Sequence, residues 1–423
     1  MRTRLSSILF MALAIALLAT SSHAGLYRVG QSGQPYPSLS GPFGAWQAAT
    51  GTPGDHIIQL EDTNGGGFYA EPQLDLDDTA LCASITVTNL AGVSTGLLAT
   101  GAGGNALFRN LSTTGKTLII EGNSSTDKIF IESDLDGSIV NCGPATGNGI
   151  IELRNVEVRK ATSLATSEPY LELNNQATAA HVLENVDFIG GASTSAGVIL
   201  RAGRLLGEVD DAPGTYLDTP LALEMTNVTF DQAAGTGVRI WVDNRIDLDA
   251  TDCVITPVAN ESAGALRTES SFSATYGWEE GGSTVDLYQC ELASGETNLL
   301  DELGRPEHSV RNQYQLWRCN FVGPCGDTAF NIADSKAVVG LYGSEDDSTT
   351  PPVDGILASL DMVGTGLVAR LVSGELHFRD VRMSMPTVSD TLVDSGYSGA
   401  YIENPKVTMT RCVWGNGTGV YVA

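Results

Sequence analysis

Leu223-Glu-Met225-Thr-Asn227-Val228-Thr-Phe230 is the stretch that decides the fold. Apolar residues alternate with polar ones up to Thr226, and the alternation restarts after Asn227. Two short strands with period-2 patterning are implied, joined at a polar residue. Asn tolerates the left-handed backbone conformation better than any residue except Gly, so a tight bend is expected at 227. The same pattern returns along the chain. It reads Ile151-Glu-Leu153-Arg-Asn155-Val156-Glu-Val158 and, shortened, Val182-Leu-Glu-Asn185-Val186-Asp-Phe188. Later copies have hinges at Asp252, Gln289, Arg318, Asp380 and Arg411. Uneven spacing between copies is typical of solenoids with loop insertions.

A second element trails the pair. Gly235-Thr-Gly237-Val238-Arg-Ile240, Gly364-Thr-Gly366-Leu367-Val-Ala369 and Gly417-Thr-Gly419-Val420-Tyr-Val422 each follow a strand pair. Every turn of the chain therefore holds three strands: one after the Gly turn, then two around the hinge. Stacking such turns pairs each strand with its equivalents above and below, which gives three parallel sheets around a filled core. Val156, Val186, Val228, Cys253, Cys290, Cys319, Val381 and Cys412 occupy one slot after the hinge and should form one inward column.

The three-strand turn, the Asn hinge and the Gly-x-Gly entry resemble the right-handed parallel β-helix of the pectin-lyase-like superfamily. The start is similar too: Tyr27-Arg-Val29-Gly30, then Trp46-Gln-Ala48-Ala49, Gly54-Asp55-His56-Ile57 and Tyr69-Ala-Glu71 follow that family's order of strand, short capping helix, Gly-Asp-x-Ile and Tyr-x-Glu. The resemblance implies an all-β, three-sheet right-handed parallel β-helix with a short N-terminal cap. Residues 1–24 read as a signal peptide, 25–80 as the cap and first turn, and 81–423 as the remaining turns. The resemblance does not fix an activity, because function lies in sites grafted onto such folds. The family's hydrolases carry a Gly-His-Gly, which is missing here. Its lyases carry an Arg-x-Pro-x-x-Arg signature, and Arg305-Pro306 has a different spacing.

Arg2 and Arg4, the apolar run from Ile8 to Ala19, and Ser22-His23-Ala24 form a Sec-type export signal. The run is too short to span a bilayer comfortably. A secreted or cell-surface protein is implied, without membrane insertion once the signal is cleaved. Removing Arg2 and Arg4 from the 23 Lys+Arg, against 50 Asp+Glu, leaves 21 − 50 = −29. Such a charge argues against nucleic acid as a partner and is compatible with Ca²⁺ association. No cofactor is required by any motif. Gly364-x-Gly366-x-x-Ala369 belongs to the repeat and is no dinucleotide fingerprint. No two His stand at metal-ligand spacing, and none of the acid clusters, such as Asp247-Asp249-Asp252, has a Ca²⁺-loop pattern. Seven Cys leave pairing open: buried free thiols, or a Cys290–Cys319 bridge between neighbouring turns.

Insertions at about 204–220, 268–284, 301–313 and 333–354 follow the Gly-turn strand in several turns, and stacking should make them wall a groove. With Val238, Ile240 and Val242 inward, Arg239 and Trp241 face out onto its floor, as do Arg201, Asn331, Arg370 and Tyr421. Arg267 joins them if its register matches Arg239. Tyr216, Phe272, Tyr276, Trp278 and Tyr342 fall in the insertions, and Arg305 and His308 crowd another loop position. Aromatic faces stack on sugar rings and Arg grips carboxylate or sulfate in a fork. The expected partner is an extracellular polysaccharide bound in this groove. The alternatives are a lyase or glycoside hydrolase with a degenerate signature, or an adhesin or stalk. Oligomeric state is not legible. The chain stops within a Gly-turn strand, Gly419-Val420-Tyr421-Val422-Ala423, so the expectation is an open last layer and further turns in a longer protein.

Overall fold

The computed structural model describes residues 24–422 apart from 31–32, 63–67, 101–105, 134–137, 144–146, 161–168, 176, 191–199, 204–219, 233–239, 244–245, 256–264, 270–282, 294–299, 303–311, 324–327, 333–336, 344–357, 363–366, 372–373, 385–392, 395–405 and 416–419. The export signal lies outside the described residues. The architecture is all-β, with one short helix, Ala45–Thr50. Strands repeat in rungs, and every pairing between rungs is parallel.

Three ladders run through the rungs. A pre-hinge ladder includes Leu221–Thr226, Ile246–Thr251, Thr284–Tyr288 and Gln313–Trp317. A post-hinge ladder includes Thr229–Gln232, Val254–Ile255, Glu291–Ala293 and Asn320–Gly323. A third ladder of eleven strands runs from Leu74–Leu76 to Val393–Asp394. The sequence predicts three sheets, but hydrogen bonding makes two. Ile150–Lys160 and His181–Gly190 run unbroken through the hinge and join the first two ladders into one sheet of 24 strands.

The hinge behaves as its composition predicts. Asn155, Asn185, Asn227, Asp252, Gln289, Arg318, Asp380 and Arg411 all have φ between 52° and 55°. Three of them form an amide ladder along the stack. Asn227 Nδ2 donates to Asn185 Oδ1 at 2.7 Å, Asn185 Nδ2 to Asn155 Oδ1 at 3.1 Å, and Asn155 Nδ2 to the Gly122 carbonyl at 3.0 Å. On the next rung Asp252 has no N–H to offer Asn227 Oδ1. Asp252→Asn keeps a residue suited to φ 54° and adds one link. It is expected to stabilise the protein by about 1 kcal/mol, the net value of one hydrogen bond, read as a raised urea midpoint.

Past the hinge, Val156, Val186, Val228, Cys253, Cys290, Cys319, Val381 and Cys412 are all buried, none more than 4% exposed. The pairings Val156↔Val186 and Ala358↔Val381 carry this inward column from rung to rung. Six of the seven Cys are described. All six are buried free thiols, so Cys290 and Cys319 are not bridged. Their sulfurs reach backbone carbonyls instead, Cys319 to Leu287 and Trp317 and Cys290 to Ala250 and Tyr288.

The N-terminal segment is held by buried polar groups. Glu71, fully buried, accepts the Leu39 and Ser40 N–H groups at 2.9 Å each, which fixes the approach to the helix. Trp46 donates its indole N–H to the Asp75 carbonyl and packs on Phe108. At the other end the last strand departs from the expected pattern. Val420–Val422 does not enter the third ladder. It folds back antiparallel on Val413–Gly415, with Trp414 opposite Tyr421. Tyr421 therefore does not belong to the predicted groove floor.

Candidate functional site

One register position of the third ladder is polar on every rung but one, where Trp241 stands. Its residues are paired in order: Asp75↔Arg109, Arg109↔Asn141, Asn141↔Glu172 and Glu172↔Arg201. The column continues with Arg201↔Trp241, Trp241↔Arg267, Arg267↔Asp301, Asp301↔Asn331, Asn331↔Arg370 and Arg370↔Asp394. On several described rungs its neighbours are apolar and buried: Leu74 and Leu76, Leu171 and Leu173, and Phe330 and Ile332. On those rungs period-2 alternation sets the column residue on the opposite face from the core.

Where side chains are described, they pair along the column. Arg109 makes a two-pronged contact with Asp75, Nε to Oδ1 and Nη2 to Oδ2, both 2.9 Å. That hydrogen bonding raises the guanidinium pKa further. Glu172 Oε2 accepts from Asn141 Nδ2 at 2.7 Å and from Ser138 Oγ at 3.1 Å, so that oxygen faces the preceding rung.

The structure brings part of the predicted floor together. Arg201, Trp241 and Arg267 occupy three consecutive rungs, and Asn331 and Arg370 two later ones. Arg267 aligns with Trp241, not with Arg239, because the strand starts at Ile240 and pairs Ile240 with Leu266. Arg239, Tyr276, Trp278, Arg305 and His308 lie outside the described residues.

The insertions also divide differently. The chain leaves the third ladder at Gly203, Glu269 and Glu302 and re-enters the pre-hinge ladder at Leu221, Thr284 and Gln313. Three long connections thus start from the end of the same ladder, on the rungs of Arg201, Arg267 and Asp301. The predicted fourth, 333–354, is not a single insertion. Val338–Tyr342 is a pre-hinge strand inside it, and the longer part, 344–357, opens at the hinge corner. Tyr342 is accordingly a strand residue, not a loop residue.

Sequence reasoning missed what Tyr342 joins. Tyr288, Trp317, Tyr342 and Arg379 stand in one register on successive rungs, just before the hinge. The Trp317 and Tyr342 rings lie 4.5 Å apart, tilted by 35°. The Arg379 guanidinium sits 4.8 Å from the Tyr342 ring and 5.6 Å from that of Trp317. Arg318 lies 5.6 Å from the Tyr288 ring and donates to its hydroxyl at 3.0 Å. Gly340 makes room, since a Cβ there would lie 2.2 Å from the Tyr342 ring. These ring faces are occupied by one another and by guanidinium, so the stack braces rungs and offers little face to a sugar.

Beside it run carboxylates: Glu224, Asp249 and Asp286 share a register, with Asp247 adjacent. Desolvation, and then the Asp249 charge, raise the pKa values of Asp247 and Asp286. Among the described residues, no group of three or more His, Cys, Asp or Glu is placed to hold a metal ion. His377 meets Glu375 Oε2 at 3.0 Å on the outer face of its strand. No protein-family model, curated protein or solved structure matches the chain.

Proposed function

We propose that this chain is an exported right-handed parallel β-helix of the pectin-lyase-like type that binds an extended polysaccharide along its third ladder. The observation that carries the reading is the run Arg201, Trp241, Arg267 on three consecutive rungs, at the ladder end from which the long connections depart. A row of matched residues at regular spacing suits a linear polymer better than a compact ligand. Trp supplies an apolar face for a sugar ring, and Arg supplies a forked donor for carboxylate or sulfate. In a chain of formal net charge −27, two Arg within three rungs make a local exception that an anionic polymer would find.

Glycan-array screening followed by titration of the best polymer tests the reading. Trp241→Ala is expected to weaken binding by about 1–3 kcal/mol, as a central aromatic anchor would. Trp317→Ala is expected to leave affinity unchanged, because its stack lies on another ladder. Loss of binding in Trp317→Ala with full binding in Trp241→Ala would move the site to the pre-hinge face.

A further inference from the structure

We propose that the core takes up a soft metal cation, of the Cu(I) class, between Cys253 and Cys290. The site begins with one small residue. Leu183, Met225, Ala250, Leu287 and Leu316 share an inward register position on five consecutive rungs, and all are buried. Only Ala250 is small. The missing volume leaves a cavity of about 10 Å³ beside it, room for roughly one water-sized sphere. Three sulfur-bearing residues line that cavity: Cys253, Cys290 and Met225. The other lining side chains are aliphatic, and no lining residue is more than 4% exposed. An ion that seeks oxygen finds no side chain for it there, whereas thiolate and thioether select soft ions.

Spacing selects the mode of bonding. Cys253 and Cys290 both follow the hinge, on adjacent rungs. Val254 pairs with Glu291, and the Glu291 N–H donates to the Cys253 carbonyl at 2.9 Å. In-register positions on adjacent strands lie ~4.8 Å apart. A disulfide needs Cβ atoms about 3.5–4.5 Å apart, so this column resists bridging. A cation bonded in line to two thiolates, at about 2.3 Å from each, holds its sulfurs about 4.6 Å apart, which matches the rung. Zn²⁺ wants four ligands and is poorly served by two thiolates and a thioether. The Cys253 S–H donates to the Thr251 carbonyl and the Cys290 S–H to that of Tyr288, each at 3.4 Å. Cu(I) replaces both S–H bonds with metal–sulfur bonds. Two protons go to solvent, and the copper keeps its oxidation state. Because the site is buried, the ion enters as the chain folds or as these rungs open.

Anaerobic titration with Cu(I) held by a competing chelator tests this, on the folded full chain and on chain refolded in its presence. One Cu(I) per chain is expected, with only sulfur neighbours by X-ray absorption. Cys253→Val and Cys290→Val should each lose it. Val fills the same slot at 156, 186 and 228, so both variants keep a residue the core already uses. Ala250→Leu should lose the ion too, with every thiol in place, because its side chain fills the cavity. Cys319→Val should retain it. Thermal melts confirm that each variant is folded. No Cu(I) in either sample, nitrogen or oxygen neighbours around it, or uptake that survives Ala250→Leu would each overturn the site. So would loss in Cys319→Val with retention in Cys253→Val.

Discussion

Arg411→Ala is expected to destabilise the last rungs by about 3 kcal/mol, the cost of leaving a buried carboxylate without its partner. The partner is Asp380, whose side chain is 1% exposed. Arg411 Nε meets Asp380 Oδ1 at 2.7 Å and Nη2 meets Oδ2 at 2.5 Å, a forked pair between consecutive hinges. Both residues hold positive φ, so Ala at 411 retains the backbone strain that Arg already bears. Arg411→Gly loses the same ion pair but relieves that strain and should be about 1 kcal/mol less damaging. Asp380→Asn in the Arg411→Ala background should recover most of the loss, since a neutral amide needs no counter-charge. Hydrogen exchange of the 406–410 strand amides reads the effect locally, because solenoid ends open before the middle. An additive double mutant would show that the pair is not coupled.

The hinge shows why this fold is legible. Asn and Asp mark five of the eight hinges, yet Gln289, Arg318 and Arg411 hold nearly the same φ as Asn155. Type alone would not have found them. Position did: each sits between two alternating strands, and the inward Val or Cys follows at once. Where the pair is split at the hinge, the pattern fails. Val338–Tyr342 has only its first half in sequence reach of the hinge, because 344–357 separates it from Ala358–Met362. Gly343 stands where other rungs put the polar residue, and a Cβ there would lie 2.0 Å from the Asp380 carbonyl oxygen. A close approach to the next rung, not a turn, demands that glycine.

The candidate site was legible in part for a related reason. Alternation told which residues of successive strands share a position, and so put Arg201 and Trp241 in one column. It could not settle the match on every rung, because register depends on connections of variable length. Arg267 against Trp241, and the acids outside the two Arg, emerge only from pairing. The Trp317 and Tyr342 stack was invisible for the same reason: 25 residues separate the two, and only rung register sets them side by side. Net charge says nothing of where the acids sit: Asp75 and Glu172 serve as partners on the column itself.

Acid should weaken the protein through His181, which is fully buried at the start of the strand His181–Gly190. Ile151 N–H donates to its Nδ1 at 3.1 Å, and Nε2 lies 3.0 Å from Asn175 Oδ1, so the neutral ring with its proton on Nε2 satisfies both contacts. Asn175 Nδ2 in turn donates to the Gly149 carbonyl at 2.6 Å. Burial lowers the imidazole pKa from 6.5 to about 4. A second proton on the ring would meet the Ile151 N–H, donor against donor. Because the folded value lies below the unfolded one, stability from this group is complete above pH 6.5. It is lost as pH falls from 6.5 towards 4, and no more is lost below that. The shift corresponds to about 3 kcal/mol over that window. His56, at the equivalent place in an earlier rung, makes similar contacts: it accepts the Gly25 N–H on Nδ1, and its Nε2 lies 2.9 Å from the Thr52 carbonyl. His181→Gln keeps an acceptor and a donor but cannot titrate. Urea midpoints from pH 7.5 to pH 4 should fall less steeply for this variant than for the native protein. Parallel curves across that range would show that His181 titrates alike in the folded and unfolded states, and the assignment of acid sensitivity to it would fail.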